Sequence, residues 1–260
     1  MSTPRALSKS TIVLWGLVIV MAAALAAILV RQPGLLTASS ANDLRQAEME
    51  GVVRNYIIEN PEIIADAINE LRRRQARADE EDSRQQIATR QDDIFHDAAS
   101  VATAETGTVN VAEFFDYNCG YCRQSHENTK KLQAKDGVRF VFKEFPILGP
   151  GSVAAAKAAI ASIRQGHDKY IAFHDAMMTH PGHVDGDVAM QVAATVGLDV
   201  EKLKADMAKP EVQETIDRNM ALAQAIGVSG TPSFVIGDEL VPGAAEYSHL
   251  ESVVDEQSDS

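Results

Sequence analysis

Val109-Asn110-Val111-Ala112-Glu113-Phe114-Phe115-Asp116-Tyr117-Asn118-Cys119-Gly120-Tyr121-Cys122 is the stretch whose reading decides the fold. Val109, Val111, Phe114 and Phe115 read as a buried strand. Cys119 to Lys135 reads as a helix. A strand that runs straight into a cysteine at a helix start has a chemical consequence. Unpaired backbone N–H groups and the positive end of the helix dipole stabilise a thiolate there. Cys119 is therefore expected as the exposed, low-pKa attacker. Cys122, one turn later, is expected as the less accessible partner that resolves mixed disulfides. Gly120 and Tyr121 set the geometry and potential between them.

The chain has only these two cysteines. A disulfide scaffold would need more, placed farther apart. A bridge within C-x-x-C closes a tiny loop and stabilises little. Structural zinc normally takes four ligands, often from two such pairs. His126 follows Cys122 on the same helical face, so a Cys-Cys-His metal site shared between subunits stays open as a lesser reading. Covalent haem needs His directly after the second cysteine, where Arg123 stands. Redox chemistry is the favoured reading. It needs no metal and no cofactor beyond the Cys119–Cys122 disulfide itself.

Of the 260 residues, 45 % are apolar, enough for an ordinary core, and the net charge of -13 makes nucleic-acid binding improbable. Thr11 to Val30 is a run of twenty residues without a charge. As a helix it would span roughly 30 Å, about the hydrocarbon thickness of a bilayer. Arg5 and Lys9 precede it, which places the N-terminus in the cytoplasm and the bulk of the chain outside. Residues 1–31 thus read as a signal anchor. Thr37-Ala38-Ser39-Ser40-Ala41 leaves a cleaved signal peptide as the alternative. Both deliver the rest to an oxidising compartment, in a bacterium the periplasm.

Gln32 to Ala41 reads as a short linker. Residues 42–99 read as a helical stalk, with Asn60 as N-cap and Pro61 at the first position of a second helix. Leu44, Val52, Tyr56, Ile63, Ile64, Ile68 and Leu71 give an apolar stripe with too little surface for a core of its own. It suits either packing against copies of itself or a solvated linker. Arg72 to Arg90 is almost wholly polar, and Ile94 and Phe95 resume the stripe.

Residues 108–256 read as an α/β domain split by a helical insertion at about 150–227. A second strand runs from Val138 to Glu144. Helices follow at Val153–Arg164 capped by Ser152, at Asp168–Thr179, at Val188–Val196 capped by Asp187, at Glu201–Ala208 and at Glu211–Ile226. Ser233–Ile236 is a third strand. Gly237-Asp238 turns it into a short edge strand at Leu240-Val241. A last helix spans Ala245–Val254, and the acidic residues from Glu251 to Asp259 read as a frayed tail. The scattered histidines read as surface or satisfied side chains, and Met177 and Met178 as core.

Gly230-Thr231-Pro232-Ser233-Phe234 precedes the third strand. A proline at strand entry is weak alone, but beside a C-x-x-C in this strand order it marks a cis-proline loop facing the cysteines. Together with Glu113–Cys122, Lys143-Glu144-Phe145-Pro146-Ile147-Leu148-Gly149 and the helical insertion, the chain resembles the DsbA superfamily of periplasmic disulfide oxidoreductases. That implies a thioredoxin-like fold with an inserted helical domain. Tyr56-Ile57-Ile58-Glu59-Asn60-Pro61-Glu62-Ile63 is similar to the amino-terminal segment of the ScsC-like branch, whose members can oligomerise through it. The resemblance implies that Cys119 is the nucleophile and Cys122 the resolving cysteine. It also implies that Thr231 and Pro232 pair with the substrate backbone, and that Glu113 is a buried acid assisting proton transfer. A strand-end carboxylate bound to backbone is the plainer reading of Glu113. Tyr121 is the further candidate for substrate contact. Gly120-Tyr121 and Thr231-Pro232 stand where DsbA itself usually has Pro-His and Val-Pro, and they resemble the isomerases.

Two enzymatic functions follow. One is an oligomeric disulfide isomerase or reductase acting on misoxidised exported proteins and kept reduced by a DsbD-like membrane partner. The other is a monomeric dithiol oxidase reoxidised by a DsbB-like partner. A copper-sequestering or holdase module is the non-enzymatic alternative.

Overall fold

Four short strands form one sheet in the order β2-β1-β3-β4, with β1 Val109–Phe115, β2 Val138–Glu144, β3 Ser233–Ile236 and β4 Glu239–Pro242. β1 and β2 are parallel, while β3 runs antiparallel to β1 and β4 antiparallel to β3. β1 and β2 are buried along nearly their whole length, as continuous apolar strands covered on both faces must be. The computed structural model describes residues 9–30 and 33–259, with side chains from 15–24, 27–28 and 43–259.

Helices cover both faces of this sheet. One core cluster joins Val111, Phe115, Phe140 and Phe142 to α5 (Gly120–Gln133), to the inserted helices α6 (Pro150–Ser162), α7 (His167–Thr179), α8 (Gly186–Thr195) and α9 (Val200–Met207), and to α11 (Tyr247–Ser258). The opposite face carries Ala112, Phe114, Val141 and Val235 against α10 (Pro210–Ala225). The segment 101–103 lines the outer edge of β2, with Phe142 N–H donating to Val101 O at 2.9 Å and Thr103 N–H to Phe140 O at 2.8 Å. That edge strand is thereby closed to further pairing.

Several expected boundaries move. α6 begins at Pro150 behind Gly149, whose φ of 105° suits a glycine, and not behind Ser152. α8 is capped by Asp185, which accepts from the N–H groups of Asp187 and Val188 at 3.0 Å each, so Asp187 lies inside the helix. The expected frayed tail is the second half of α11, pinned by Lys135 through Glu251 at 3.2 Å and Asp255 at 3.0 Å.

The N-terminal region is helical from α1 (Lys9–Val30) through α2 (Pro33–Glu59) and α3 (Glu62–Thr89). The expected linker from Gln32 to Ala41 is therefore helix from Pro33 on, because proline is pre-organised for a first turn. α3 begins at Glu62, one residue past the expected Pro61, and the Asn60 amide donates back to Tyr56 O at 2.8 Å. Among the described residues no helix is long and apolar enough to cross a membrane. The uncharged run 11–30 extends past the described side chains at both ends, so the anchor expectation, like that for residues 1–8, falls outside them.

The chain divides into two units, Met1–Arg72 and Arg73–Ser260. In the first, Leu44, Val52, Tyr56, Ile64, Ile68 and Leu71 are all exposed. The second begins earlier than the stalk reading allowed. Ile87, Ile94 and Phe95, the last two on α4 (Gln91–Phe95), are fully buried beside Phe114 and Val141. Lys143, itself fully buried, donates to Asp93 O at 2.8 Å and lies 3.6 Å from Asp97. These contacts make residues 87–97 part of the α/β domain and not of a stalk.

Candidate active site

The site forms where β1 hands over to α5. Cys119 is the N-cap residue of α5, with extended φ and ψ of -76° and 116°. Its sulfur accepts from Cys122 N–H at 3.4 Å. The thiol of Cys119 donates to Thr231 O at 3.2 Å. The Thr231–Pro232 peptide is cis. Both cysteines are free thiols.

Cys119 is only 6 % exposed, so the expected open attacker is instead covered from the Thr231 side. Its thiol is nevertheless held down to about 5. The hydrogen bond from Cys122 contributes most, the Thr231 side chain and the N–H groups of Cys122 and Tyr121 add to it, and burial opposes them. The Thr231 carbonyl contact by itself favours the protonated sulfur, and the donors outweigh it. Cys122 goes the other way. Burial, the bond to Cys119 and the charge of Glu113 push its thiol far up. The two sulfurs thus differ in character, Cys119 favouring the thiolate and Cys122 the protonated thiol.

Glu113 lies on β1, is 2 % exposed, and its charge is felt at Cys122 as that of Cys119 is felt at Glu113. Burial, then the Cys119 charge, raises its carboxyl to about 8. A carboxyl in that range can take or give a proton near neutral pH. Tyr121 is exposed beside the pair.

Sequence reading missed the residues that hold this loop in place. Asp116 receives N–H groups from Asn118 at 2.8 Å and Leu148 at 2.9 Å, joining the cysteine loop to the loop after β2. Asn118 donates to Ser152 Oγ at 3.0 Å and Val184 O at 2.9 Å, and accepts from Val184 N–H at 2.8 Å. Arg123 donates to Tyr117 O at 2.7 Å, to His180 O at 3.0 Å and to Gly182 O. Besides the local Asp116–Asn118 and Tyr117–Arg123 contacts, their partners lie 32 to 66 residues away, where no local pattern points.

A family profile for the DSBA-like thioredoxin domain matches residues 110–255. The chain belongs to this family. It carries the family's thiol–disulfide oxidoreductase domain. A second profile, the N-terminal domain of copper resistance protein ScsC, matches residues 46–78. Among solved structures, a thioredoxin-like oxidoreductase from Silicibacter pomeroyi is 45 % identical with a TM-score of 0.63, covering 65 % of this chain and 98 % of its own. Proteus mirabilis ScsC in a compact conformation is 29 % identical with a TM-score of 0.62, covering 81 % and 96 %. BcfH from Salmonella enterica Typhimurium is 26 % identical with a TM-score of 0.73, covering 85 % and 99 %. The chain spans 24 % of the length of the Na(+)/H(+) antiporter NhaA from Herminiimonas arsenicoxydans, to which it is 28 % identical over 153 residues.

Proposed function

We propose that this DSBA-like protein is a disulfide isomerase or reductase of exported proteins, working in the periplasm as a homo-oligomer. The observation that carries it is the unequal pair, a Cys119 thiolate at about 5 beside a protonated, buried Cys122. A thiolate that persists at neutral pH can attack a wrong disulfide, and a partner thiol one turn away can release the enzyme from a stalled mixed disulfide. Thr231 and Pro232, against the attacking sulfur, are the residues that would align the client backbone, and Tyr121 would contact it from the exposed side.

Met49, Val53 and Ile57 lie one helical turn apart on α2 and line an open apolar groove, which supports association of copies through the first unit. The run 11–30 would tether each copy to the inner membrane, beside a DsbD-like reductant. Cleavage of that run would leave a soluble periplasmic form.

A second reading, a monomeric dithiol oxidase served by a DsbB-like partner, draws on the same thiolate. Stabilising the thiolate stabilises the reduced form and makes the disulfide a stronger oxidant. Light scattering of the protein, with assays on scrambled and on reduced client, separates the two. Isomerase action requires an oligomer that rearranges scrambled client; a monomer that only oxidises reduced client rejects it.

A further inference from the structure

Between Arg73 and the first strand, the chain sets a helical face behind the loop that carries Thr231. Ser83 and Ile87 lie one turn apart on α3, and Gln91 opens α4 four residues on. Ile87 is fully buried in the cluster that holds Ile226, Val228 and Val235. Ser83 Oγ donates to Ile226 O at 2.7 Å, across 143 residues of chain. Gln91 Nε2 donates to Gly237 O at 3.1 Å, across 146. Ile226 is the C-cap residue of α10, and Gly237 begins the turn from β3 to β4. The same helical face thus grips the turn before β3 and the turn after it. The cis Pro232 stands immediately ahead of that strand. Ser83, Ile87 and Gln91 all lie outside both matched family segments.

A serine inside a helix ordinarily returns its proton to a carbonyl of its own helix, one turn back. Ser83 instead reaches out to the end of another helix. The carbonyl it meets is one that the intrahelical ladder of α10 leaves without a donor. At that end Val228 N–H closes on Ala223 O at 2.8 Å, and Gly227 takes a φ of 84°. A side-chain carbon on Gly227 would sit 3.7 Å from Ser83 Oγ, so the serine packs directly on the turn. The far end of the lead-in is fixed by Ser233 Oγ, which donates to Gly230 O at 2.8 Å. Thr231 follows, with its carbonyl 3.2 Å from the Cys119 sulfur.

We propose that Ser83 is a positioning residue of the exchange reaction: by holding the Ile226 carbonyl it sets the course of residues 227–231 and keeps Thr231 over the Cys119 sulfur. It touches neither sulfur nor client and acts through the loop. The step it serves is attack by the Cys119 thiolate on a client disulfide. A bond forms between Cys119 and one client sulfur, the client disulfide breaks, and its electron pair leaves on the other client sulfur as a thiolate. The loop contributes to this step twice. The Thr231 side chain supports the thiolate. Thr231 and Pro232 align the client backbone, and the proposal rests on that reading of the loop. A lead-in released from Ser83 weakens both contributions, while the Cys122 hydrogen bond to the attacking sulfur stays in place.

The test compares the full chain with its Ser83→Ala and Ser83→Thr variants. Alanine is the better helix former, so α3 keeps its helix, and threonine keeps the hydroxyl. The reduced proteins react with a disulfide-linked peptide and with bis(2-hydroxyethyl) disulfide, which has no backbone to align. Cys119 alkylation is followed against pH beside them. Ser83→Ala is expected to slow the peptide reaction ~10-fold, since misplacing an aligning group is costly, and to leave the small disulfide within about twofold of the parent. It should also raise the Cys119 titration midpoint, and Ser83→Thr should restore the parent's behaviour in all three measurements. A Ser83→Ala peptide rate within about twofold of the parent overturns the proposal. Equal slowing with both disulfides overturns it too, because a general loss of packing would act on both alike. A parent that reacts no faster with the peptide than with the small disulfide would take down the alignment reading, and the proposal with it.

Discussion

The sulfur of Cys119 lies 3.2 Å from the carbonyl oxygen of Thr231, although 112 residues separate them in the chain. One loop thus covers the Cys119 sulfur and occupies it with the backbone group that we propose aligns the client strand. The same Thr231 assists the thiolate through its side chain. Thr231→Val should raise the Cys119 titration midpoint, and Cys122→Ala should raise it more, because the Cys122 hydrogen bond is the larger cause. Alkylation rate against pH reads both shifts.

Stability should depend on pH through two groups of opposite sign. The Cys119 thiol falls from an ordinary 9.0 to about 5 on folding. Its contribution to the reduced protein is present at high pH and is lost as pH falls through about 5. Glu113 rises from 4.5 to about 8, so the folded state holds a proton that the unfolded chain has lost. Its ionisation weakens the fold as pH climbs across that window. Glu113→Gln should leave Tm nearly unchanged at the acid end and raise it at the alkaline end. Calorimetry of the reduced protein at both ends checks the sign.

Asn118 ties the cysteine loop to the inserted helices through three hydrogen bonds. Asn118→Ala should cost ~2–4 kcal/mol in urea unfolding, because it orphans buried partners as well as removing bonds. Exchange activity should fall with it, since the loop that aims Cys119 loses its anchor on Val184.

Phe95 and Ile63 separate the domain from the helices before it. Phe95 is fully buried, whereas Ile63 is exposed. Phe95→Ala should destabilise the domain by ~3–5 kcal/mol, and Ile63→Ala should leave its unfolding midpoint unchanged. Chemical denaturation of the two variants measures the difference.

The strands and the hairpin were legible because their signals are local: short apolar runs, then Gly237-Asp238 at a tight turn. The unequal cysteines were legible for the same reason, since a helix N-terminus is encoded within a few residues of Cys119. What escaped reading depends on distant partners. Asn118 meets Val184 across 66 residues and Arg123 meets His180 across 57, and neither side chain carries a mark of its partner. Glu144 reads as an ordinary polar position at a strand end until Tyr117 and Tyr170 close on it. Ile87 and Phe95 sit in a polar stretch where too few apolar residues recur to show which body they join. Asp187 fits the capping pattern by type, but the backbone places the cap two residues earlier, at Asp185.

The most direct test is trapping. The full chain with Cys122→Ala, mixed with a scrambled disulfide-bonded client, should accumulate a covalent complex through Cys119, identified by mass spectrometry and released by reductant. Cys119→Ala should form none. Equal trapping by the two variants, or trapping through Cys122 alone, would contradict the assignment of Cys119 as the attacking sulfur.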